Sequence, residues 1–256
     1  MQTNSKYEEI ITKEILEKEM YQEKLSQRKI SEKYNVGKGT IQFLQNKYKL
    51  QILNLQQRRV PRSLTDAQKQ IVMGTVISDG HLFKKNEIRN AALSIKHSIK
   101  QEELLDYKYE NLIDFIRTKP SLQVSKINEK TYVCKSFRTL SHDYFTYLHN
   151  NLYKKIDGRY VKFLNKDILD KLEPLGLCVA YMDDGTVHHS CRDFCYECFS
   201  YDEQKMFSQW LKDKYDLKAR VIKYGDKYRT RIYSWEKFDN IIRPFILEKF
   251  KYKIKN

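Results

Sequence analysis

The sequence lacks the features that mark membrane and secreted proteins. Its 256 residues contain no apolar run long enough to span a bilayer, and the opening stretch, MQTNSK, contains no apolar core of a signal peptide. Its five cysteines are an odd number, which fits a reducing compartment better than a disulfide framework. We therefore expect a cytoplasmic protein, in a bacterial, phage or organellar interior, that is neither secreted nor bound to a membrane.

Acidic residues are scarce relative to basic ones. The chain has 33 Asp and Glu against 48 Lys and Arg, which gives a formal net charge of +15, and it has 19 tyrosines. A basic surface rich in aromatic rings suits a polyanion that offers phosphates and flat bases. Double-stranded DNA or another nucleic acid is therefore the expected class of partner.

Two stretches of the chain look like copies of one another. Residues 72–80 (VMGTVISDG) and 177–185 (LCVAYMDDG) are each an apolar run of about two helical turns that closes on Asp-Gly. We expect each glycine to take the left-handed conformation that ends a helix, so Asp79 and Asp184 should each lie at a helix C-terminus. The negative end of the helix dipole adds to each carboxylate, and together they favour a bound cation over a proton.

The two helices are also suited to pack side by side. Gly74 and Ser78 are four residues apart and share one helix face of little bulk, where a second backbone can approach closely. The two aspartates would then meet at one point. A single Asp-Gly is usually an ordinary turn, but two copies that each end an apolar helix favour a shared site.

The elements that follow each copy recur in the same order. Apolar periodicity predicts a hairpin, a helix, a second hairpin and a closing helix after both Gly80 and Gly185, and Lys135 aligns with Arg231 when the second hairpins are matched. This duplication predicts an α+β fold of tandem αββαββα repeats about a pseudo-twofold axis. The first repeat is placed at 64–160 and the second at 161–256.

The first 50 residues lie outside the duplication and are predicted to form a small helical domain. A polar helix is expected over residues 7–25, and residues 27–44 have the spacing of a helix-turn-helix, with Asn35 in a left-handed turn. This stretch resembles the resolvase-type helix-turn-helix. Its core is expected to consist of Ile30, Val36, Ile41 and Leu44.

A DNA-reading role for this domain would place polar side chains on its second helix. Lys38, Thr40 and Gln42 lie there, and Gln42 is able to read a base edge. The alternative is a plain helical hairpin that makes protein contacts. Residues 51–63, which contain Arg58 and Arg59 and no acidic residue, are predicted to form a basic linker along phosphates.

Residues 64–256 resemble a single-chain LAGLIDADG homing endonuclease. The resemblance rests on the two motif copies, their separation and the repeated order of elements. It implies paired helices at the interface of the repeats and two saddle-shaped antiparallel sheets over the DNA major groove. It also implies that the last acidic residue of each motif, Asp79 or Asp184, holds Mg²⁺ or Mn²⁺. Each site then cuts one strand, and a chain with both motifs is expected to act as a monomer.

The resemblance also implies a basic residue near each site, after the last helix of each repeat. Lys162 and Lys253 are the best matches. Asp183, next to Asp184, is expected to point away around the helix. Phosphodiester hydrolysis needs an activated water, a neutralised phosphate and a stabilised leaving oxygen, and Mg²⁺ held by carboxylates supplies all three.

Basic side chains on the strands are the expected DNA contacts of the repeats. Their predicted alternation places them on the sheet faces opposite the apolar residues, where they would contact the major groove. These residues are Lys96, Lys135, Arg229 and Arg231.

Three other interpretations remain open. The same fold could serve a transcription regulator that only binds DNA, or an RNA maturase. The cysteines offer a third alternative, because His188, Cys191, Cys195 and Cys198 have a spacing that a zinc site could use, although the match is loose.

Overall fold

The computed structural model describes residues 5–23, 25–50, 61, 63–86, 88–127 and 130–254. The chain divides into two units, residues 1–63 and 64–256, and each is described by itself. Most of the predicted basic linker, including Arg58 and Arg59, lies outside the described residues. In the part of the chain that is described, no helix is both long and apolar enough to cross a membrane.

The first unit is helical. Its helices are α1 (Ser5–Glu8), α2 (Lys13–Glu17), which continues into a π-helical turn (Lys18–Gln22), α3 (Gln27–Lys33) and α4 (Lys38–Lys47). The continuous helix expected over residues 7–25 is wrong. The chain breaks before α2 because the Thr12 hydroxyl accepts a hydrogen bond from the Ile15 amide and caps a new helix.

The turn between α3 and α4 has the expected conformation. Asn35 has φ 50°, the left-handed region that asparagine tolerates better than most residues. Ile30, Ile41 and Leu44 are fully buried, and Val36 packs against them. The small core of this unit therefore contains the predicted residues together with Ile11, Leu16 and Met20 from the preceding segment.

The second unit contains the predicted duplication. Its first copy consists of α5 (Asp66–Val76), β1 (His81–Phe83), β2 (Ala92–Ser98), α6 (Glu102–Asn111), β3 (Ser121–Ile127), β4 (Lys130–Arg138) and α7 (Asp143–Leu152). A hairpin of β5 (Tyr153–Ile156) and β6 (Arg159–Lys162) and the short α8 (Lys166–Leu169) lead to the second copy. That copy consists of α9 (Pro174–Asp184), β7 (Gly185–Val187), β8 (Arg192–Phe194), α10 (Tyr201–Tyr215), β9 (Ala219–Tyr224), β10 (Lys227–Ile232) and α11 (Trp235–Ile242).

Both copies form the same four-stranded antiparallel sheet. The strand orders are β1-β2-β4-β3 and β7-β8-β10-β9. One face of each sheet is covered by helices, so that Leu93 and Ile95 are buried in the first sheet and Phe194 and Ile232 in the second. The identical order of elements and strands confirms the α+β fold of tandem repeats.

The two sheets correspond in a different register from the one predicted. Ser94 pairs with Arg138 in the first sheet, and its counterpart Asp193 pairs with Arg231 in the second. Arg231 therefore corresponds to Arg138, and its alignment with Lys135 is wrong by three residues. Because strand side chains alternate between faces, an odd shift moves a residue to the opposite face of the sheet.

Lys135 shows the consequence of that shift. It pairs with His97 on the face that is covered by helices, and its Nζ donates to Glu102 Oε1 at 2.6 Å and to Asp106 Oδ1 at 2.8 Å. These two carboxylates are one turn apart on α6 and draw the ammonium towards the helix. The expected position of Lys135 on the outer face is therefore wrong.

The apolar pattern after Gly185 places the second strand of the first hairpin at residues 194–200, but the observed strand is β8, Arg192–Phe194. β8 ends at Phe194, and the chain then turns because the side-chain amide of Gln204 donates to Tyr196 O at 2.8 Å and to Phe199 O at 3.2 Å. The buried Gln204 on α10 thus donates hydrogen bonds to carbonyls that, in a longer strand, would accept them from a neighbouring strand.

Candidate active site

The helices α5 and α9 pack against each other at glycines. A Cβ atom added at Gly74 would lie 2.2 Å from Gly176 O, a distance that no real Cβ contact reaches. The prediction that Gly74 permits close packing is confirmed. Gln70 fixes the crossing, because its Nε2 donates to Lys171 O at 2.9 Å and its Oε1 accepts from the Glu173 amide at 2.7 Å.

The glycines that follow the two aspartates are needed for space and not for a left-handed turn. The positive φ angles found at described glycines belong to Gly158 and Gly225, whereas Gly185 has φ −87°. A Cβ atom at Gly80 would lie 2.7 Å from Thr75 O, and one at Gly185 would lie 2.3 Å from Tyr181 O. The expected left-handed conformation is wrong, because each glycine instead lets the chain turn back against its own helix.

The two aspartates lie where these helices end. Asp184 is the last residue of α9, and Asp79 follows the end of α5 by three residues. The Asp79 side chain is 40% exposed and Asp184 is half-buried, so both can be reached from solvent. These positions agree with the prediction that each motif presents one carboxylate.

The electrostatics of the aspartates differ from those of ordinary surface carboxyls. Burial raises the pKa of Asp184 to about 8, and the nearby charges of Asp79 and Asp183 act in the same direction. The pKa of Asp79 is also raised, first by burial and then by Asp183. Clustered carboxylates of this kind repel one another, and a cation placed among them relieves the repulsion.

Lys162 and Lys253 reach the ends of the two motif helices. Lys162 Nζ donates to Ser78 O at 2.6 Å and to Gly80 O at 2.9 Å, on either side of Asp79. Lys253 Nζ donates to Met182 O at 2.8 Å, two residues before Asp184. Lys162 thus caps the negative end of the first motif, and Lys253 caps that of the second. Burial lowers the pKa of both lysines, and the carboxylates oppose this effect.

The sequence had suggested that Asp183 points away from the site, and this expectation is wrong. Asp183 is buried, and its Oδ1 and Oδ2 accept hydrogen bonds from Lys108 Nζ at 2.6 and 2.7 Å. The Ser78 hydroxyl donates to Asp183 Oδ2 at 2.8 Å. Asp183 of the second repeat is therefore held by two donors from the first, and the ion pair joins the repeats beneath the two accessible aspartates.

His97 completes this buried network. Its Nε2 lies 3.1 Å from Lys108 Nζ, and its Nδ1 lies 3.6 Å from Asp79 Oδ2. Burial and the charge of Lys108 lower the pKa of His97 to about 3, which keeps the ring neutral. Lys108 and His97 were missed as site residues, although a signal was present: Lys108 lies four residues after Leu104, on the apolar face of α6.

The donor set fits a divalent metal ion at the accessible aspartates. Carboxylate oxygens are the ligands that Mg²⁺ and Mn²⁺ prefer. Among the described residues, the one group of three metal-type side chains with ligand atoms within 4.8 Å of one another is Asp79, His97 and Asp183. Both oxygens of Asp183 already accept hydrogen bonds from Lys108, which leaves Asp79 and Asp184 as the carboxylates that fit a cation.

Residues 69–238 match the model of the LAGLIDADG DNA endonuclease family, which is well over half of the chain. The chain belongs to this family. The matched range contains both aspartates, both sheets and Lys162.

The relatives of this LAGLIDADG protein include an mRNA maturase, an intron-encoded DNA endonuclease and RecA proteins. The cytochrome b mRNA maturase bI2 of Saccharomyces cerevisiae is 26% identical over 198 residues, which cover 73% of this chain and 47% of the relative. The probable intron-encoded DNA endonuclease 3 of Mycosarcoma maydis is 30% identical over 123 residues, which cover 46% of this chain and 90% of the relative. The protein RecA of Mycolicibacterium flavescens is 27% identical over 212 residues, which cover 76% of this chain and 48% of the relative. The chain thus spans about half the length of the maturase and of the RecA relative.

Among solved structures, the homing endonuclease I-WcaI bound to its DNA recognition sequence has the same fold. The TM-score is 0.68 at 18% sequence identity, and the match covers 75% of this chain and 88% of that chain. This likeness supports the LAGLIDADG architecture described above.

The outer faces of the LAGLIDADG sheets carry three of the four predicted basic residues. Lys96 is exposed on β2. Arg231 forms a double hydrogen bond with Asp193 at 2.7 and 2.8 Å, and Arg229 pairs with Glu197. Arg138, the counterpart of Arg231, was missed as a candidate. Its guanidinium stacks on Phe83, with 4.1 Å from Cζ to the ring centroid.

The predicted DNA-reading residues of the first unit lie on α4. Lys38 and Gln42 are exposed and Thr40 is half-buried, so all three side chains reach the surface of the helix.

The cysteine-rich segment does not assemble a zinc site within the described residues. Its four side chains are not among the groups with metal-type spacing, and the cysteines are free thiols. His188 Nε2 lies 3.1 Å from Asp193 Oδ2, and Cys195 Sγ lies 3.2 Å from the Thr186 hydroxyl. Ordinary polar contacts therefore account for His188 and Cys195.

Proposed function

We propose that the chain is a site-specific homing-type endonuclease that hydrolyses both strands of double-stranded DNA with a divalent metal ion. The observation that carries the proposal is the pair of accessible aspartates, Asp79 and Asp184, at the ends of two packed helices. Their raised pKa values mark a place where a cation relieves repulsion. Membership of the DNA endonuclease family supports the same reaction.

Asp79 and Asp184 would each hold a divalent metal ion, which we take to be Mg²⁺ or Mn²⁺, at the site that cuts one strand. When bound, such an ion lowers the pKa of water and neutralises phosphate charge. Lys162 and Lys253 keep a positive charge beside each aspartate, because their hydrogen bonds to backbone carbonyls fix each ammonium in place. They would stabilise the charge that develops on the scissile phosphates.

The outer faces of the two sheets would contact the major groove. Arg231 is held by Asp193 of its own sheet and Arg229 by Glu197 in the turn after β8, so their guanidinium groups lose little side-chain entropy on meeting DNA. Lys96 and Arg138 offer positive charge on the other sheet. Some of these contacts would position phosphates and others would read bases.

The first unit would act as a helix-turn-helix that extends the recognised sequence. Its second helix, α4, presents Lys38, Thr40 and Gln42, and the turn before it has the left-handed residue that such a motif uses. Both aspartates come from one chain, so the active unit would be a monomer.

The experiment that tests this function compares charge-removing variants. Asp79→Asn and Asp184→Asn should each abolish double-strand cleavage with Mg²⁺ while leaving DNA affinity largely unchanged, because they remove a metal ligand and no DNA contact. Asp66→Asn is the matched control, since it removes the same charge from a side chain that is 96% exposed at the other end of α5. Full cutting by either active-site variant would remove that residue from the mechanism.

RNA maturation is a second candidate, because the cytochrome b mRNA maturase bI2 is among the relatives. A maturase would bind its intron RNA more tightly than duplex DNA and would work without the metal-binding carboxylates. A competition between the two nucleic acids, repeated with Asp184→Asn, separates the two functions. A wild-type protein that binds duplex DNA but cuts it with neither Mg²⁺ nor Mn²⁺ would instead be a DNA-binding regulator.

A further inference from the structure

A buried nitrogen of His97 has no hydrogen-bond partner. The residue is 2% exposed at the end of β2, on the helix-covered face of the first sheet. Its Nε2 faces Lys108, while its Nδ1 lies 3.6 Å from Asp79 Oδ2 and makes no hydrogen bond of normal geometry; the Gln101 side chain is a further polar neighbour of the ring. Buried polar atoms of folded proteins nearly always have partners, and exceptions often have a functional reason.

Lys108 determines which nitrogen of His97 carries the proton. An ammonium has three donors and no lone pair, so at 3.1 Å from Lys108 Nζ the Nε2 atom has to be the acceptor. Asp183 Oδ1 is 3.4 Å from Nε2, farther than the ammonium, and both of its oxygens accept from that same ammonium. In a neutral imidazole the proton then lies on Nδ1, which is the nitrogen nearest Asp79.

We propose that His97 is a positioning residue for Asp79: its Nδ1–H donates to the Asp79 carboxylate and holds one oxygen towards the cation and the scissile phosphate. The Lys108–Asp183 ion pair fixes the required tautomer from the other side of the ring. This inference rests on the proposed nuclease function. The distance of 3.6 Å is longer than a hydrogen bond, and the 40% exposed Asp79 side chain has room to close it when DNA and metal arrive.

The same protonation excludes His97 as a metal ligand. Coordination needs a lone pair on the nitrogen that faces the cation, and Nδ1 carries a proton. The metal-type spacing of Asp79, His97 and Asp183 therefore reflects a hydrogen-bonded chain beneath the metal site. Outer partners of this kind orient metal-binding carboxylates, and their loss typically costs about 10- to 100-fold in metal affinity or activity.

The arrangement belongs to one repeat. Counted along the sequence from the corresponding residues Ser94 and Asp193, the second repeat has Tyr196 where the first has His97, and β8 ends before this residue. Tyr196 is a buried phenol, which has no second polar atom through which a lysine could fix its proton. The effect of His97 should therefore be confined to Asp79 and to the DNA strand that is cut there.

The tautomer can be measured without any cleavage. In protein labelled with ¹⁵N-histidine, the imidazole signals of His97 are assigned by their absence in His97→Leu, and the shifts should be those of a protonated Nδ1 and an unprotonated Nε2. The double variant Lys108→Met/Asp183→Asn removes both charges together, which avoids leaving one charge buried alone. It should move the proton towards Nε2. A wild-type ring protonated on Nε2, or a double variant with the wild-type spectrum, would overturn the proposal.

The positioning role is measured by the rates at which the two strands are cut. The two DNA strands carry different labels. The strand of interest is the one whose cut Asp79→Asn abolishes. His97→Leu should slow the cutting of that strand by about 10- to 100-fold and leave the cutting of the other strand and the DNA affinity unchanged. His97→Asn should restore most of that rate, because its amide N–H can take the place of Nδ1–H.

Equal slowing of both strands, or an Asn variant no faster than the Leu variant, would make His97 a packing residue and overturn the proposal. A wild-type protein that cuts neither strand would overturn the proposed function instead. The NMR spectrum would still decide the tautomer on which the positioning role depends.

Discussion

Two adjacent aspartates of α9 have opposite surroundings. Asp183 is buried but neutralised by Lys108, whereas Asp184 is more accessible and faces other carboxylates. A buried charge is tolerable when it is paired and hydrogen-bonded, and an unpaired one is costly. The protein thus keeps Asp183 as part of its structure and leaves Asp184 in need of a cation.

That contrast predicts how stability depends on pH. The pKa of Asp184 is about 8 in the folded protein against a usual value of 3.8, so the folded form binds more protons between these values. The contribution of this carboxyl to the free energy of unfolding therefore falls as pH rises from about 4 to about 8. Asp184→Asn removes the carboxylate and with it this loss of stability. At pH 8.5, in EDTA so that no metal ion is bound, the variant should melt above wild type by about 2–4 °C for each kcal/mol of relieved repulsion.

Thermal melts at several pH values check this prediction. At pH 4, where the carboxyl is largely protonated in both states, the difference between Asp184→Asn and wild type should shrink. Added Mg²⁺ should raise the melting temperature of wild type more than that of the variant, because a ligand stabilises the state that binds it. A variant that melts below wild type at pH 8.5 would contradict the raised pKa.

At the scale of elements, most helices and strands of the duplicated unit could be predicted because their signals are local, whereas the first helix of the N-terminal unit was not. Thr65 and Ser200 begin α5 and α10 with capping boxes, in which a Gln or Glu three residues later completes a pattern that is visible in the sequence. Strand register was not predictable in the same way, since it depends on which partner a strand meets across the sheet. Lys135 was therefore assigned to the wrong face, and the buried contacts of Lys108 with Asp183, from different repeats, had no local signal of pairing.

The observed register gives a matched pair of substitutions. Arg231→Ala removes an outer-face guanidinium, so it should weaken DNA binding and, if the residue reads guanine, relax preference at one base pair by about 1–3 kcal/mol. Lys135→Ala removes a similar charge from the helix-covered face. It should leave the site preference unchanged and lower stability by about 1 kcal/mol or less, because its partners are partly exposed.

Binding titrations against a panel of single-base-pair variants of the target site measure both effects. A change in base preference with Lys135→Ala but not with Arg231→Ala would contradict the assignment of faces.

At the scale of the whole molecule, the duplicated unit contains both aspartates and both sheets, and the N-terminal unit contributes neither. Deleting residues 1–62 should therefore leave a folded nuclease that still cuts at high enzyme concentration. Its DNA affinity should fall, the salt dependence of binding should flatten and the protected footprint should shorten on one side, because phosphate and base contacts are lost.

Footprinting of the truncated and full-length proteins at several salt concentrations makes this comparison. A truncated protein with the full footprint and the full salt slope would show that the first unit is not a DNA reader. The helical hairpin that makes protein contacts would then be the better account of residues 7–50.

The central claim is that Asp79 and Asp184 together make a site-specific double-strand nuclease. Its most direct test is to incubate purified protein and Mg²⁺ with a library of random duplex sites and to sequence the ends that are produced. The claim predicts paired cuts, one on each strand at a constant offset, within one recurrent sequence, and no such ends from the Asp79→Asn/Asp184→Asn double variant. Wild-type ends that are no more frequent or specific than those of the double variant would contradict it.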